Sequence, residues 1–166
     1  MSTLKVGTIQ DHANGNNALV IDSAGRTTFP SVPAFNAYYN GSAVELSNQK
    51  FPLNTERYDY GGVFNTSTYE FVAPVTGLYA FTWGCIVQET TIRVKFQTAS
   101  SAGGSFSDAL ELVYADSFDS ANYKPCNAAW EWPMTANHAG IIKITNNSNA
   151  TYHGGQFNWW TGRLVR

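Results

Sequence analysis

Gly61-Gly62-Val63-Phe64-Asn65-Thr66-Ser67-Thr68-Tyr69-Glu70-Phe71-Val72-Ala73-Pro74-Val75-Thr76-Gly77-Leu78-Tyr79-Ala80-Phe81 is the stretch that decides the fold. A polar turn at Asn65 to Thr68 leads into the aromatic-rich run Tyr69 to Val72. Pro74 fixes φ at the start of a tight turn, and Gly77 supplies the backbone freedom to leave it. The strand that follows runs from Leu78 to Val87. Tyr79, Phe81, Trp83, Cys85 and Val87 face one way, and Leu78, Ala80 and Ile86 the other. A strand apolar on both faces is expected to be covered on both, as in a sandwich that also packs outward.

Outward from this stretch the pattern repeats. Ile92 to Gln97 alternates cleanly, with Ile92, Val94 and Phe96 on one face, which predicts a strand with one buried side. Leu110 to Tyr114, Trp130 to Trp132, Ile141 to Ile144 and Phe157 to Val165 are further strand candidates. Ser107 to Leu112 also fits a helical turn capped by Ser107. Helical patterning is otherwise nearly absent. Many short strands at regular spacing predict an all-β sandwich or jelly roll. Residues 1–32 read differently. Short β-prone runs alternate with turns at Asn14-Gly15-Asn16 and Ser23 to Arg26, and Pro30 and Pro33 punctuate the exit. This arm is too short and polar for a core of its own, so it needs a partner.

Composition narrows the functions. The 166 residues are 14% aromatic and only 13% charged, against about 25% charged in an average soluble domain. Much surface is therefore expected to be buried, including against other copies of the chain. Net charge is −2 and the basic residues are scattered, which argues against nucleic acid as a partner. No apolar run approaches the roughly 20 residues of a membrane span, so no membrane insertion is expected. The start, Met1 to Lys5, has no apolar stretch of the secretory kind. Synthesis in a cytoplasm follows as an expectation; Cys85 and Cys126 could pair if close in space, and reduced, packed thiols are the favoured reading.

The stretch from Gly61 to Phe81 resembles the signature of C1q/TNF-like domains. In these a polar turn leads to an aromatic-rich strand, a Pro-x-x-Gly turn, and a strand opening with Tyr-x-Phe. Trp159-Trp160-Thr161-Gly162-Arg163-Leu164 resembles the closing strand of that family, where Gly162 lets an aromatic ring approach the backbone. Trp160 and Arg163 depart from it, standing where the family has Phe and an aromatic. Pro33 to Ala37 resembles the opening strand. The matches follow the family's order and cover roughly Pro33 to Arg166. In the arm, Leu4 to Gln10 and Ala18 to Arg26 resemble linker segments of phage fibre proteins that precede a C1q-like knob.

The resemblance implies a homotrimeric C1q-like jelly-roll sandwich of two antiparallel sheets, residues 33–166, with an extended N-terminal β arm, residues 1–32. It places Phe35, Tyr79, Phe81, Trp132 and Trp160 in trimer and core packing. Leu4, Val6, Ile9, Leu19 and Ile21 become the anchor of the arm. The expected role is a non-enzymatic structural protein of a bacteriophage virion, a short fibre or capsid decoration at the virion surface that contributes to host attachment. The partners are then further copies of the chain, other virion proteins through the arm, and a host-surface glycan or protein. A capsid cement without receptor role and a cellular C1q-like adhesin are the alternatives.

No Gly-x-Ser-x-Gly, His-Glu-x-x-His or phosphate-loop motif is present, so no catalytic residues and no cofactor are expected. His12, His138 and His153 each lie beside turn residues and are read as solvated. Asp108, Glu111 and Asp116 read first as a solvated acidic region, with calcium as the weaker candidate because hard cations favour clustered oxygens. Tyr114, Asp116, Phe118, Asp119 and Tyr123 are the receptor-binding candidates, aromatic faces flanked by carboxylates. Tyr58 and Tyr60 are read either as binding aromatics or as packing at a strand end.

Overall fold

The computed structural model describes residues 5–89, 91–116, 121–146 and 149–166. Leu4, Phe118 and Asp119 lie outside them. Strands β1 (Thr8–Gln10), β2 (Asn17–Ile21) and β3 (Thr27–Thr28) form a small antiparallel sheet in the arm. Its turns are built by carboxylates: Asp11 accepts from the amides of Ala13 and Asn14, and Asp22 from those of Ala24 and Arg26. Such Asx turns are what short polar side chains do beside glycine.

The remaining strands are β4 (Ala34–Tyr38), β5 (Val44–Leu46), β6 (Thr55–Tyr60), β7 (Phe64–Asn65), β8 (Glu70–Val72), β9 (Gly77–Gln88), β10 (Thr91–Ala99), β11 (Ser107–Asp116), β12 (Lys124–Met134), β13 (Ala139–Ile144), β14 (Ala150–Tyr152) and β15 (Trp159–Leu164). They make two sheets. One has five strands in the order β11-β10-β13-β8-β7. The other has seven, with β9 between β12 on one side and β15 and β14 on the other, β4 and β6 beyond β15, and β5 beyond β14. The chain passes back and forth between the sheets, which gives the jelly-roll topology. Ser107 to Leu112 is strand, not helical turn.

The core follows the alternation. Tyr79, Phe81, Trp83, Cys85 and Val87 of β9 are buried, as are Ile92, Val94 and Phe96 of β10. Phe35 of β4 stacks on Phe71 of the other sheet with ring centroids 5.3 Å apart. Phe81 meets Phe96 at 5.4 Å, and Trp160 meets both Phe35 and Phe96, at 5.0 and 6.2 Å. Offset and edge-on pairs at these separations stabilise beyond their area. Leu78, Ala80 and Ile86, on the opposite face of β9, are only half-buried.

Close contacts fix two glycines. A Cβ on Gly162 would stand 2.6 Å from both the Phe35 and Phe81 rings, so the aromatic approach expected from the sequence occurs on two sides. Gly77 differs from the expectation. Its φ is not in the left-handed region; the constraint is the C-terminus, since a Cβ there would meet the Arg166 carbonyl and the Leu164 side chain at 2.6 Å.

Among the described residues one charged side chain is buried. Glu70, 2% exposed, accepts from Lys50 Nζ at 2.5 Å and from the Gly103 amide at 2.9 Å. The Gly103-Gly104 loop is thereby tied to β8, and Lys50 also lies over the Phe106 ring. A buried carboxylate needs this degree of pairing to persist.

The Gly162 contact makes a direct prediction. Gly162→Ala overpacks two rings at once, and its urea-unfolding midpoint should fall by the equivalent of about 1–3 kcal/mol. An unchanged midpoint would mean that the rings shift freely and that the close approach is incidental.

Candidate binding surfaces

The face of the seven-stranded sheet turned away from the core is defined by register. Arg163 of β15 pairs with Ala34 of β4 and with Ala80 of β9, and Ala80 pairs with Glu131 of β12. One step along, Asn36, Thr161, Thr82 and Ala129 form the next row. The small side chains leave a groove of about 640 Å³, lined by Ala34, Ala80, Thr82, Ala129 and Thr161 with Tyr58, Glu131 and Arg163 at its sides. Tyr58 and Tyr60 of β6 stack at 5.3 Å, and Tyr60 is 61% exposed. The Tyr58 hydroxyl reaches Thr161 Oγ1 at 3.3 Å, and Thr161 donates to the Phe35 carbonyl. Among the described residues neither Arg163 nor Glu131 has an ion-pair partner. Strand spacing puts the two about 10 Å apart across Ala80.

The outer side of β10 and β11 carries a different surface. Lys95 Nζ holds Asp108 at 2.5 Å and Glu111 at 3.6 Å, and Gln97 also donates to Asp108. Arg93 lies 4.3 Å over the Tyr114 ring, donates to its hydroxyl, and has Asp116 at 3.8 Å. Hydrogen bonds from Lys95 and Gln97 hold the Asp108 carboxyl below the ordinary aspartate value, and the Asp108 hydrogen bond raises Lys95 in return. The three carboxylates considered for calcium are thus interleaved with cations from the neighbouring strand. Among the described residues no three metal-ligating side chains converge. Asp108, Glu111 and Asp116 stand here as ion-pair partners of Lys95 and Arg93.

Of the receptor-binding candidates, Tyr114 and Asp116 are brought together around Arg93, on strand β11 and not on a loop. Tyr123 belongs to another group: it meets the His153 ring at 4.9 Å, and His153 meets Phe157 at 4.7 Å. Phe157 is 51% exposed, Tyr123 38%. His153 is accordingly half-buried between aromatic rings, not a solvated loop histidine.

The packing candidates Phe35, Tyr79, Phe81 and Trp160 all lie in the core of the single chain, and Trp132 packs half-buried at its margin against Phe96. The residues that shape the outward face are others, chiefly alanines and threonines, and alternation gives such residues no apolar signal. In the arm, Val6 and Ile9 are 40% and 50% exposed, while Leu19 and Ile21 are half-buried. Ile9 pairs with Leu19, and Phe29, 57% exposed, follows the end of β3 on the same sheet.

No family model and no curated protein sequence matches the chain. Solved structures are similar to it. The globular domain of zebrafish complement 1qA protein superposes with a TM-score of 0.63 at 16% identity, over 81% of this chain and 98% of that one. Eiger TNF from S. frugiperda gives 0.67 at 10% identity, over 82% and 94%. Murine APRIL at pH 5.0 gives 0.62 at 10% identity, over 81% and 99%. The fold is the C1q/TNF jelly roll, as the sequence resemblance implied, and the likeness at these identities is one of fold.

The charge ladder on β10 and β11 predicts a pH dependence. Asp108 is depressed in the folded state, so its contribution is present above the ordinary aspartate value and is lost as pH falls through the lower folded one. Urea midpoints measured down through that window should fall less steeply for Asp108→Asn than for the wild type. Parallel curves would mean that the pairing carries no stability. Millimolar calcium should leave the melting midpoint unchanged.

Proposed function

We propose that the chain is a non-enzymatic binding knob that works as a homotrimer, closed through the outward face of the seven-stranded sheet. That face is the observation that carries the reading. Ala34, Ala80, Thr82 and Ala129 keep its floor low enough for a second backbone to come close, and Tyr58 and Tyr60 supply rigid apolar area at its edge. An obligate interface resembles a domain core cut in pieces. Arg163 and Glu131 sit on different strands with opposite charge, which suits a head-to-tail ring in which Arg163 of one copy meets Glu131 of the next. The trimer implied by the C1q/TNF resemblance is of this closed kind.

Three-fold repetition multiplies weak contacts. The surfaces left outward are the Arg93–Tyr114–Asp116 group and the Tyr123–His153–Phe157 aromatic cluster, both suited to a glycan or protein surface. We place the knob on a virion, as a short fibre or capsid decoration of a bacteriophage, with the arm as its anchor. The support is the resemblance of the arm to fibre linkers and the exposure of Ile9 on its small sheet and of Val6 and Phe29 beside it.

Sedimentation equilibrium should give three times the chain mass at micromolar concentration. Arg163→Glu and Glu131→Arg should each weaken the trimer at least about tenfold, in line with the several kcal/mol that like charges cost in an interface. The double variant should restore it. A wild-type monomer would overturn the trimer; a trimer indifferent to both charges would overturn the face assigned to it. Gold-labelled antibody on intact particles tests the placement, and particles without label would leave a trimeric binding module with no virion role.

A further inference from the structure

We propose that Cys85 and Cys126 form an oxidisable dithiol whose cross-link staples the edge strand β12 to β9. The two residues are direct partners in the antiparallel register, so their side chains leave the sheet on the same, core-facing side. Both are free thiols, 2% and 7% exposed. Directly opposed residues on antiparallel strands have Cα atoms about 4.5–5.5 Å apart, within the roughly 4.4–6.8 Å that a disulfide spans. Bond formation therefore asks for side-chain rotation and not for backbone movement.

The pair is chemically unequal. A hydrogen bond from Cys85 holds the Cys126 thiol below its ordinary value, whereas burial pushes Cys85 well up. Cys126 is also the more accessible, on a strand whose ladder partner is β9 alone. The thiolate is the attacking species in exchange, so Cys126 is the entry point.

The oxidant is a small-molecule disulfide of the glutathione class. Cys126 thiolate attacks one of its sulfurs, the S–S bond breaks, and the leaving thiolate takes up a proton. Cys85 then gives up its proton and attacks Cys126 Sγ, forming the Cys85–Cys126 bond and releasing the second thiol. Two protein thiols lose two electrons in all, and one small disulfide is reduced to two thiols. This inference rests on the register, burial and inequality of the two thiols and stands whether or not the chain trimerises.

The experiment treats the native full chain with oxidised glutathione and reads free thiols, a non-reducing peptide map and the melting midpoint. The expected result is loss of both thiols together, a peptide joining Cys85 to Cys126 within one chain, and a midpoint raised by about 10 °C for a loop of this length. Dithiothreitol should reverse it. Cys126→Ala should leave Cys85 unreactive in the folded protein, whereas Cys85→Ala should trap a mixed disulfide on Cys126. Retention of both thiols in the native chain, while the urea-unfolded chain oxidises, would overturn the proposal. Joined peptides from two different chains would overturn it equally.

Discussion

The contact of Phe35, Phe71, Phe81, Phe96 and Trp160 across the two sheets is the constraint on which the rest of the structure depends. Stacked sheets lie about 10 Å apart, and here that gap is filled by rings from both sides. Aromatic side chains bury much area on few rotatable bonds, so the network costs little entropy for the surface it removes from water. Its demand is geometric. A ring needs space that a Cβ would occupy, and the chain provides it at Gly162, flanked by Phe35 and Phe81.

That network was largely legible in the sequence. Period-two alternation marks Tyr79 to Val87 and Ile92 to Phe96 because each of these strands has one fully buried face. Features set by register were not legible, since pairing joins residues far apart in the chain. The acidic run from Asp108 to Asp116 looked like a carboxylate cluster because its counterions, Arg93 and Lys95, stand on the neighbouring strand. Glu70 and Lys50 are twenty positions apart and meet only once β8 is placed. Strand β12 was recognised only at Trp130 to Trp132, because Pro125 and Pro133 argue against a strand interior. Its position at a sheet edge removes the objection, since one side of its backbone carries no ladder.

The outward face of the seven-stranded sheet was the least legible part of the candidate surface. Ala34, Ala80, Ala129, Thr82 and Thr161 are individually unremarkable residues that occur on any exposed strand. Their meaning lies in adjacency across four strands, where they make a low floor between Arg163 and Glu131. The aromatic excess in the composition was read as surface buried against other copies. Much of it goes to the core of one chain, and Tyr58 and Tyr60 are the aromatics left at the edge of this face.

The same ladder that creates this floor also sets Cys126 opposite Cys85. On β12 alternate residues face opposite ways: Cys126, Ala128, Trp130 and Trp132 toward the core, Asn127, Ala129 and Glu131 outward. An edge strand paired on one side only is the part of a sheet most easily displaced. Here that strand carries one charge of the outward row and one thiol of the cross-strand pair. Fixing it to β9 through sulfur would hold Glu131 in its row with Ala80 and Arg163 by covalent means, where the reduced chain relies on the hydrogen-bond ladder and on Trp130 and Trp132 packing inward. The physical link between the inner and outer faces of this sheet is therefore the alternation of a single strand.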